Sequence, residues 1–158
     1  GFDLLRPIMA ELGASFELWY TGGLRDDAAS AIPHSRPLGR LSPGALLSAY
    51  QQCDALLFPS RYEGFGFGPC EASACGRPVI TTRGSSLSEV VEHEVTGLLC
   101  SLDNVDEFVH AARRLAADSA LAKRLGEQGR ARVVDRFSLT ILAEQYAALY
   151  RGLTPMAA

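Results

Sequence analysis

At 158 residues, with 47% hydrophobic and 21% charged side chains, the chain has the composition of one well-buried globular domain and is too short for two large ones. Its formal net charge of -3, with no basic cluster beyond Arg130, Arg132 and their neighbours, argues against a nucleic-acid groove, which needs concentrated positive charge. No apolar run approaches the roughly 20 residues of a membrane span, and the first residues lack the basic start and apolar core of a signal peptide.

Leu4, Leu5, Ile8, Met9 and Leu12 recur at helical spacing, and Gly13 is a natural stop. Residues 16 to 20 read as a strand ended by Thr21-Gly22-Gly23. Residues 24 to 34 read as a loop with a short polar helix, and 35 to 38 as a short strand. Ser42 caps a helix that starts at Pro43 and runs to Gln52. Ala55 to Pro59 is an apolar run of buried-strand type. A helix from Pro69 to Cys75 follows, stopped by Gly76, and then a strand over 78 to 82. Leu87 to Val91 is a short helix and Gly97 to Cys100 the last strand. From Asp103 onward the chain is helical, over 105 to 117, 120 to 135 and 139 to 151, with Ser119 and Ser138 as caps for the last two. Residues 1 to 153 form one domain, and 154 to 158 read as a disordered tail.

Strands alternate with helices and lack a polar face. That pattern predicts an α/β fold, a doubly wound parallel sheet covered on both sides. Ligands in such sheets bind beyond the strand C-termini, so the loops starting at Thr21, Gly39, Ser60 and Arg83 are expected to share one crevice. The segment EGFGFGPCE is placed in that crevice, with Glu63 and Glu71 at its ends. A strand, a glycine-rich turn and a helix start make a place to hold a phosphate, and carboxylates on either side can accept from sugar hydroxyls. Cys53, Cys70, Cys75 and Cys100 fit no zinc spacing and are read as free thiols in a reducing cytosol. His34, His93 and His110 lie in separate settings and are read as non-catalytic.

The run FPSRYEGFGFGPCEASACGRPVITTRGSSLSEVVEHEVTGLLC resembles the C-terminal, donor-binding domain of retaining GT-B glycosyltransferases of the group 1 family, and the similarity extends on both sides over nearly the whole chain. The resemblance implies a Rossmann-like half of a GT-B fold. The activity it implies is transfer of a sugar from a nucleotide-diphosphate donor to an acceptor hydroxyl with retention, as in polysaccharide or glycoconjugate synthesis. It implies that Glu63 accepts from donor-sugar hydroxyls and is the catalytic carboxylate. Gly64, Phe65, Gly66 and Phe67 would present backbone amides to sugar and pyrophosphate, and Glu71 would hold the ribose. Arg40 matches the base pocket, and Ser85, Ser86 and Leu87 occupy a turn where the family often has two glycines. The family's front-face mechanism needs no protein nucleophile and no metal, in keeping with the lack of an Asp-x-Asp motif.

Each position has a plainer rival. Glu63 can be an exposed loop acid, and Glu71 an acid that favours the positive end of its helix. Phe65 and Phe67 can be core plugs, Arg40 a solvated charge, and Ser85 and Ser86 caps of the next helix. The basic residues Lys123, Arg124, Arg130, Arg132 and Arg136 read as a solvated helix face. Two departures from the family stand out. Gly68 and then Pro69 follow the GFGF run, where proline commonly comes directly. The family's first strand, its diphosphate-binding arginine and lysine, and its N-terminal acceptor domain have no counterpart in this sequence. Peripheral membrane contact, where family members have it, belongs to that acceptor domain. This chain by itself is therefore expected to bind nucleotide weakly without turnover. A catalytically inactive nucleotide-sugar-binding module is the alternative. A receiver-type signalling domain ranks low, because its acidic cluster at the strand ends is replaced here by Gly, Ser and Thr.

Overall fold

The computed structural model describes residues 1–21 and 32–153; most of the expected loop over 24 to 34 and the expected tail lie outside the described residues. The elements run α1 (Phe2–Leu12), β1 (Leu18–Tyr20), β2 (Ser35–Pro37), α2 (Pro43–Gln52), β3 (Leu56–Phe58), α3 (Phe67–Ala74), β4 (Val79–Thr82), α4 (Leu87–Val90), β5 (Gly97–Cys100), α5 (Val105–Ala117), α6 (Ser119–Phe137) and α7 (Leu139–Leu153). The fold is α/β, and every strand pairing is parallel.

Side-chain alternation explains why β4 and β5 have no polar face, whereas β2 (Ser35-Arg36-Pro37) is polar and largely exposed. In β4, Val79 belongs to one apolar cluster and Ile80 to the other; in β5, Leu98 and Leu99 divide in the same way. Successive side chains point to opposite faces, so a sheet covered on both sides needs apolar residues at every position. The first cluster gathers Leu4, Ile8, Met9 and Leu12 of α1 with Phe108, Val109 and Leu115 of α5 and the start of α6. The second joins Ala72 of α3 and Val90 and Val91 at the end of α4, with Tyr50, Phe65 and Phe137 packed against it. Each fully buried side chain such as Ile8 or Phe108 contributes about 1.5–3 kcal/mol relative to exposure.

The sheet is divided. β1 pairs with β2, and β3-β4-β5 form a separate three-stranded sheet in sequence order. The open edges of β1 and β3 line one cavity of about 1190 Å³, closed by Phe2, Leu5 and Met9 of α1 and by Leu46 and Tyr50 of α2. Gly1 abuts the C-terminal end of β3: a Cβ at this position would lie 1.6 Å from the Pro59 carbonyl oxygen. The expected shared crevice is therefore built in part. The loops after β3 and β4 meet, as described below, whereas β1 and β2 sit in the other sheet.

Several local expectations shift. α3 starts at Phe67, two residues ahead of the expected Pro69, because Gly66 takes a left-handed conformation (φ 92°, ψ 58°) as N-cap. Pro69 is thereby the third helical residue, where its missing N–H is no loss. Asp118, not Ser119, caps α6 by accepting from the Leu121 amide at 2.9 Å. Ser42 and Ser138 do cap their helices, accepting from Ala45 and Ile141.

The basic face of α6 is more than solvated. Arg132 donates to the Glu89 and Val90 carbonyls at 2.8 and 3.2 Å, covering the C-terminal end of α4, and Arg124 donates to the Glu94 carbonyl. Arg114 of α5 grips the Glu94 carboxylate with both terminal nitrogens. Together they fasten the α4–β5 turn from outside. α7 leaves Leu139, Leu142, Tyr146 and Leu149 exposed at spacings of one helical face. Among the described residues no helix is long and apolar enough to cross a membrane.

Candidate functional site

The loop after β3 is held by hydrogen bonds to its own start and to the loop after β4. Ser60 Oγ donates to Glu63 Oε1 at 2.8 Å, and Ser86 Oγ donates to the Glu63 carbonyl at 2.9 Å. Glu63 is half-buried, and these two bonds hold its backbone and one carboxylate oxygen. Ser86 precedes α4 but makes no side-chain cap, so its hydroxyl serves the Glu63 loop instead.

Gly66 comes next. It needs glycine twice over: its φ of 92° is in the left-handed region, and a Cβ would approach Leu87 Cδ2 at 2.9 Å. Leu87 itself is fully buried, so its side chain supports Gly66 from below and only its backbone can line a cleft. Phe65 is half-buried, its ring edge-on to Phe67 at 5.2 Å and to Phe137 at 5.5 Å, and is a core plug; Phe67 is 71% exposed. Gly64 is exposed and has open space around it.

The N-terminus of α3 carries no side-chain cap and no acid in its first turn. The amides of Phe67 and Gly68 have no intrahelical partner, so the positive end of the helix dipole is open to an anion. Glu71 lies one turn further on, exposed, with Tyr50 Oη donating to its Oε2 at 3.2 Å. Burial first, and the Glu71 charge second, push the Tyr50 phenol well above its usual range, so it remains a donor.

Sequence reasoning missed the ion-pair cluster around Arg61. Its guanidinium donates to both oxygens of Asp3 in the first turn of α1, each at 2.7 Å, and to Asp103 after β5 at 2.7 Å. Hydrogen bonds from Arg61 hold the Asp3 carboxyl well below the usual range. The partners are 58 and 42 residues from Arg61, and no local pattern announces them. Arg40, by contrast, is exposed and makes no hydrogen bond or ion pair among the described residues.

Ser85 is exposed and adopts φ 47° in the turn that the resemblance associates with glycines. A left-handed L-residue costs about 1–2 kcal/mol, partly offset in glycine by greater chain entropy. Ser85→Gly is therefore expected to stabilise the fold by about 0.5–1 kcal/mol, raising the thermal midpoint by roughly 2 °C. An unchanged or lower midpoint in a melting experiment would contradict strain at this turn.

The remaining reactive side chains have structural surroundings. His93 Nδ1 accepts from the Leu99 amide at 2.9 Å. All four cysteines are free, and burial pushes their thiols up, that of Cys100 to about 12, so none is a ready nucleophile. Among the described residues no group of three His, Cys, Asp or Glu side chains is placed to hold a metal ion.

A family model described as glycosyl transferases group 1 matches residues 25–132. The MMP alpha-(1->4)-mannosyltransferase of Mycolicibacterium hassiacum is 34% identical over 145 residues, covering 90% of this chain and 31% of that protein. The sucrose-phosphate synthase of Thermosynechococcus elongatus superposes with a TM-score of 0.80 at 31% identity, over 96% of this chain and 43% of that one. Anabaena Alr3699/HepE, solved in complex with UDP and glucose, shares the fold, with a TM-score of 0.87 at 20% identity over 97% of this chain and 45% of that one. The chain thus spans between about a third and a half of the length of these relatives. On the family match and on relatives above 30% identity along most of its length, the chain belongs to the group 1 glycosyl transferases.

Proposed function

We propose that this chain is the donor-binding half of a retaining glycosyltransferase, which takes a nucleotide-diphosphate sugar and transfers the sugar to an acceptor hydroxyl. The observation that carries the reading is the uncapped N-terminus of α3, with a fixed carboxylate ahead of it at Glu63 and a second at Glu71. On this reading Glu63 accepts from hydroxyls of the sugar. The Gly64–Phe67 backbone and the helix dipole meet the diphosphate, and Glu71 takes the two ribose hydroxyls. Ser85, Ser86 and the Leu87 backbone border the nucleotide, and Arg40 reaches the base. Charge on the departing diphosphate is met by backbone amides and basic groups without a metal.

The rest of the machinery lies in the remaining half of the full-length protein, which supplies the acceptor site. The divided sheet supports this: the cavity between the open edges of β1 and β3 suits one more parallel strand feeding α1. The exposed apolar stripe of α7 is a surface for that other half. On this reading the protein works in the cytoplasm, where nucleotide sugars are supplied, and the free thiols are in keeping with that.

Titration calorimetry of the full-length protein with uridine, guanosine and adenosine diphosphates tests the reading. One of them should bind, and Glu71→Ala should weaken it by about tenfold, as expected for hydrogen bonds to a charged group. No binding by any of the three, or none lost in Glu71→Ala, would overturn the donor-site assignment. Turnover of a nucleotide-sugar panel by the full-length protein separates a transferase from an inactive binding module. The isolated chain should bind weakly and turn over nothing.

A further inference from the structure

We propose that Tyr50 is a positioning residue for the nucleotide ribose, setting the Glu71 carboxylate in the geometry that recognises both ribose hydroxyls; this rests on the donor-site reading above. Glu71 is exposed on α3, and fixing a free glutamate side chain on binding costs rotamer entropy. Tyr50 sits two residues before the end of α2, with its ring half-buried against the cluster of Ala72, Val79, Val90, Val91 and Leu99. The hydroxyl of a ring packed in this way has little freedom. It donates to Glu71 Oε2 at 3.2 Å, and it is the sole hydrogen-bond donor to this carboxylate among the described residues.

The acceptor count suits a diol. Each carboxylate oxygen has two acceptor sites. Tyr50 uses one on Oε2, leaving the second for one ribose hydroxyl and Oε1 for the other. Because the phenol stays protonated, the contact persists across the physiological pH range.

The same arrangement gives a reason for Gly68, where the resemblance leads one to expect proline. A Cβ at this position would meet the Phe58 ring at 3.3 Å and the Tyr50 hydroxyl at 3.8 Å. Glycine at the second position of α3 thus relieves a tight approach of the Phe58 ring, while the Tyr50 hydroxyl lies at ordinary van der Waals distance beside it.

The test compares a nucleoside diphosphate with its 2′-deoxy and 3′-deoxy forms on the full-length protein. The base used is whichever of uridine, guanosine or adenosine binds best, and the variants are wild type, Tyr50→Phe and Glu71→Ala. Tyr50→Phe keeps the ring and its packing, which a thermal melt verifies. It should weaken the ribonucleotide by about fivefold, the worth of one hydrogen bond, and each deoxy form, which keeps one hydroxyl on Glu71, by less. Discrimination between ribo and deoxy forms should therefore shrink in Tyr50→Phe and vanish in Glu71→Ala. If Tyr50→Phe weakens all three ligands equally, or none, Tyr50 is a packing residue and the proposal is overturned while the Glu71 assignment stands. If wild type does not discriminate, or Glu71→Ala changes nothing, the ribose assignment itself is wrong and the role of Tyr50 falls with it.

Discussion

Glu63→Gln in the full-length protein is expected to lower turnover by about 100-fold while leaving the affinity for a bare nucleoside diphosphate within about twofold. The substitution keeps size and shape, so the loop retains its fold. The Glu63 carbonyl still accepts from Ser86, and the side-chain oxygen can still accept from Ser60. What is lost is the negative charge and one acceptor oxygen facing the sugar. A hydrogen bond to a charged group contributes about 1.5–3 kcal/mol, which corresponds to roughly 10- to 150-fold. On the proposed reading Glu63 touches the group being transferred, so the effect falls on turnover, because interactions that strengthen as charge develops at the sugar act on the chemical step. Steady-state kinetics reads the first quantity and calorimetry the second. Turnover within a few-fold of wild type, or an equal loss of nucleoside diphosphate affinity, would remove Glu63 from the sugar site.

The second large effect concerns the fold. Gly126→Ala is expected to destabilise the protein by about 3 kcal/mol, the upper end of overpacking costs, and to lower the thermal midpoint by roughly 6–12 °C. Helix propensity alone predicts the opposite sign, a gain of about 1 kcal/mol for replacing a mid-helix glycine by alanine. The structure reverses it. α6 crosses the turn between α3 and β4 so closely that a Cβ on Gly126 would lie 2.1 Å from the Gly76 carbonyl oxygen and 2.9 Å from its carbon. Both obstacles are backbone, and the turn has little room to retreat: Gly76 has φ 72° and donates to Ser73 at 2.8 Å. Gly44 in α2 has nothing within 4 Å, so Gly44→Ala is the matched control and should leave stability unchanged or raise it. A Gly126→Ala protein as stable as the parent would mean that α6 does not approach the Gly76 turn this closely.

The effect of Gly126→Ala turns on a contact that local sequence does not reveal, and the same division runs through the fold and the site. α2, β5 and α5 match their expected bounds at both ends, because periodicity and capping residues act within a few positions. Glu63, Gly66 and Glu71 were legible as a candidate site for a similar reason. Their chemistry and spacing sit in one nine-residue segment, and the structure places them on one loop and the helix it feeds. The start of α3 was misplaced because Pro69 resembles a first helical residue, whereas the αL turn at Gly66 depends on Leu87 packing beneath it.

Ser86 was legible as a cap, yet its hydroxyl turns to Glu63 once the two loops meet. Arg61 with Asp3 and Asp103, Arg132 on the end of α4, and Tyr50 on Glu71 likewise join elements distant in sequence. The division of the sheet between β1 and β3 is of this kind too. Residue order alone settled the alternating α/β pattern, the apolar central strands and the glycine-rich loop between two carboxylates, since side-chain direction and turn chemistry are properties of neighbouring residues. Which hydroxyl, guanidinium or buried leucine holds that loop in place came only with the packed chain, because those partners are chosen by the surfaces that the folded layers bring together.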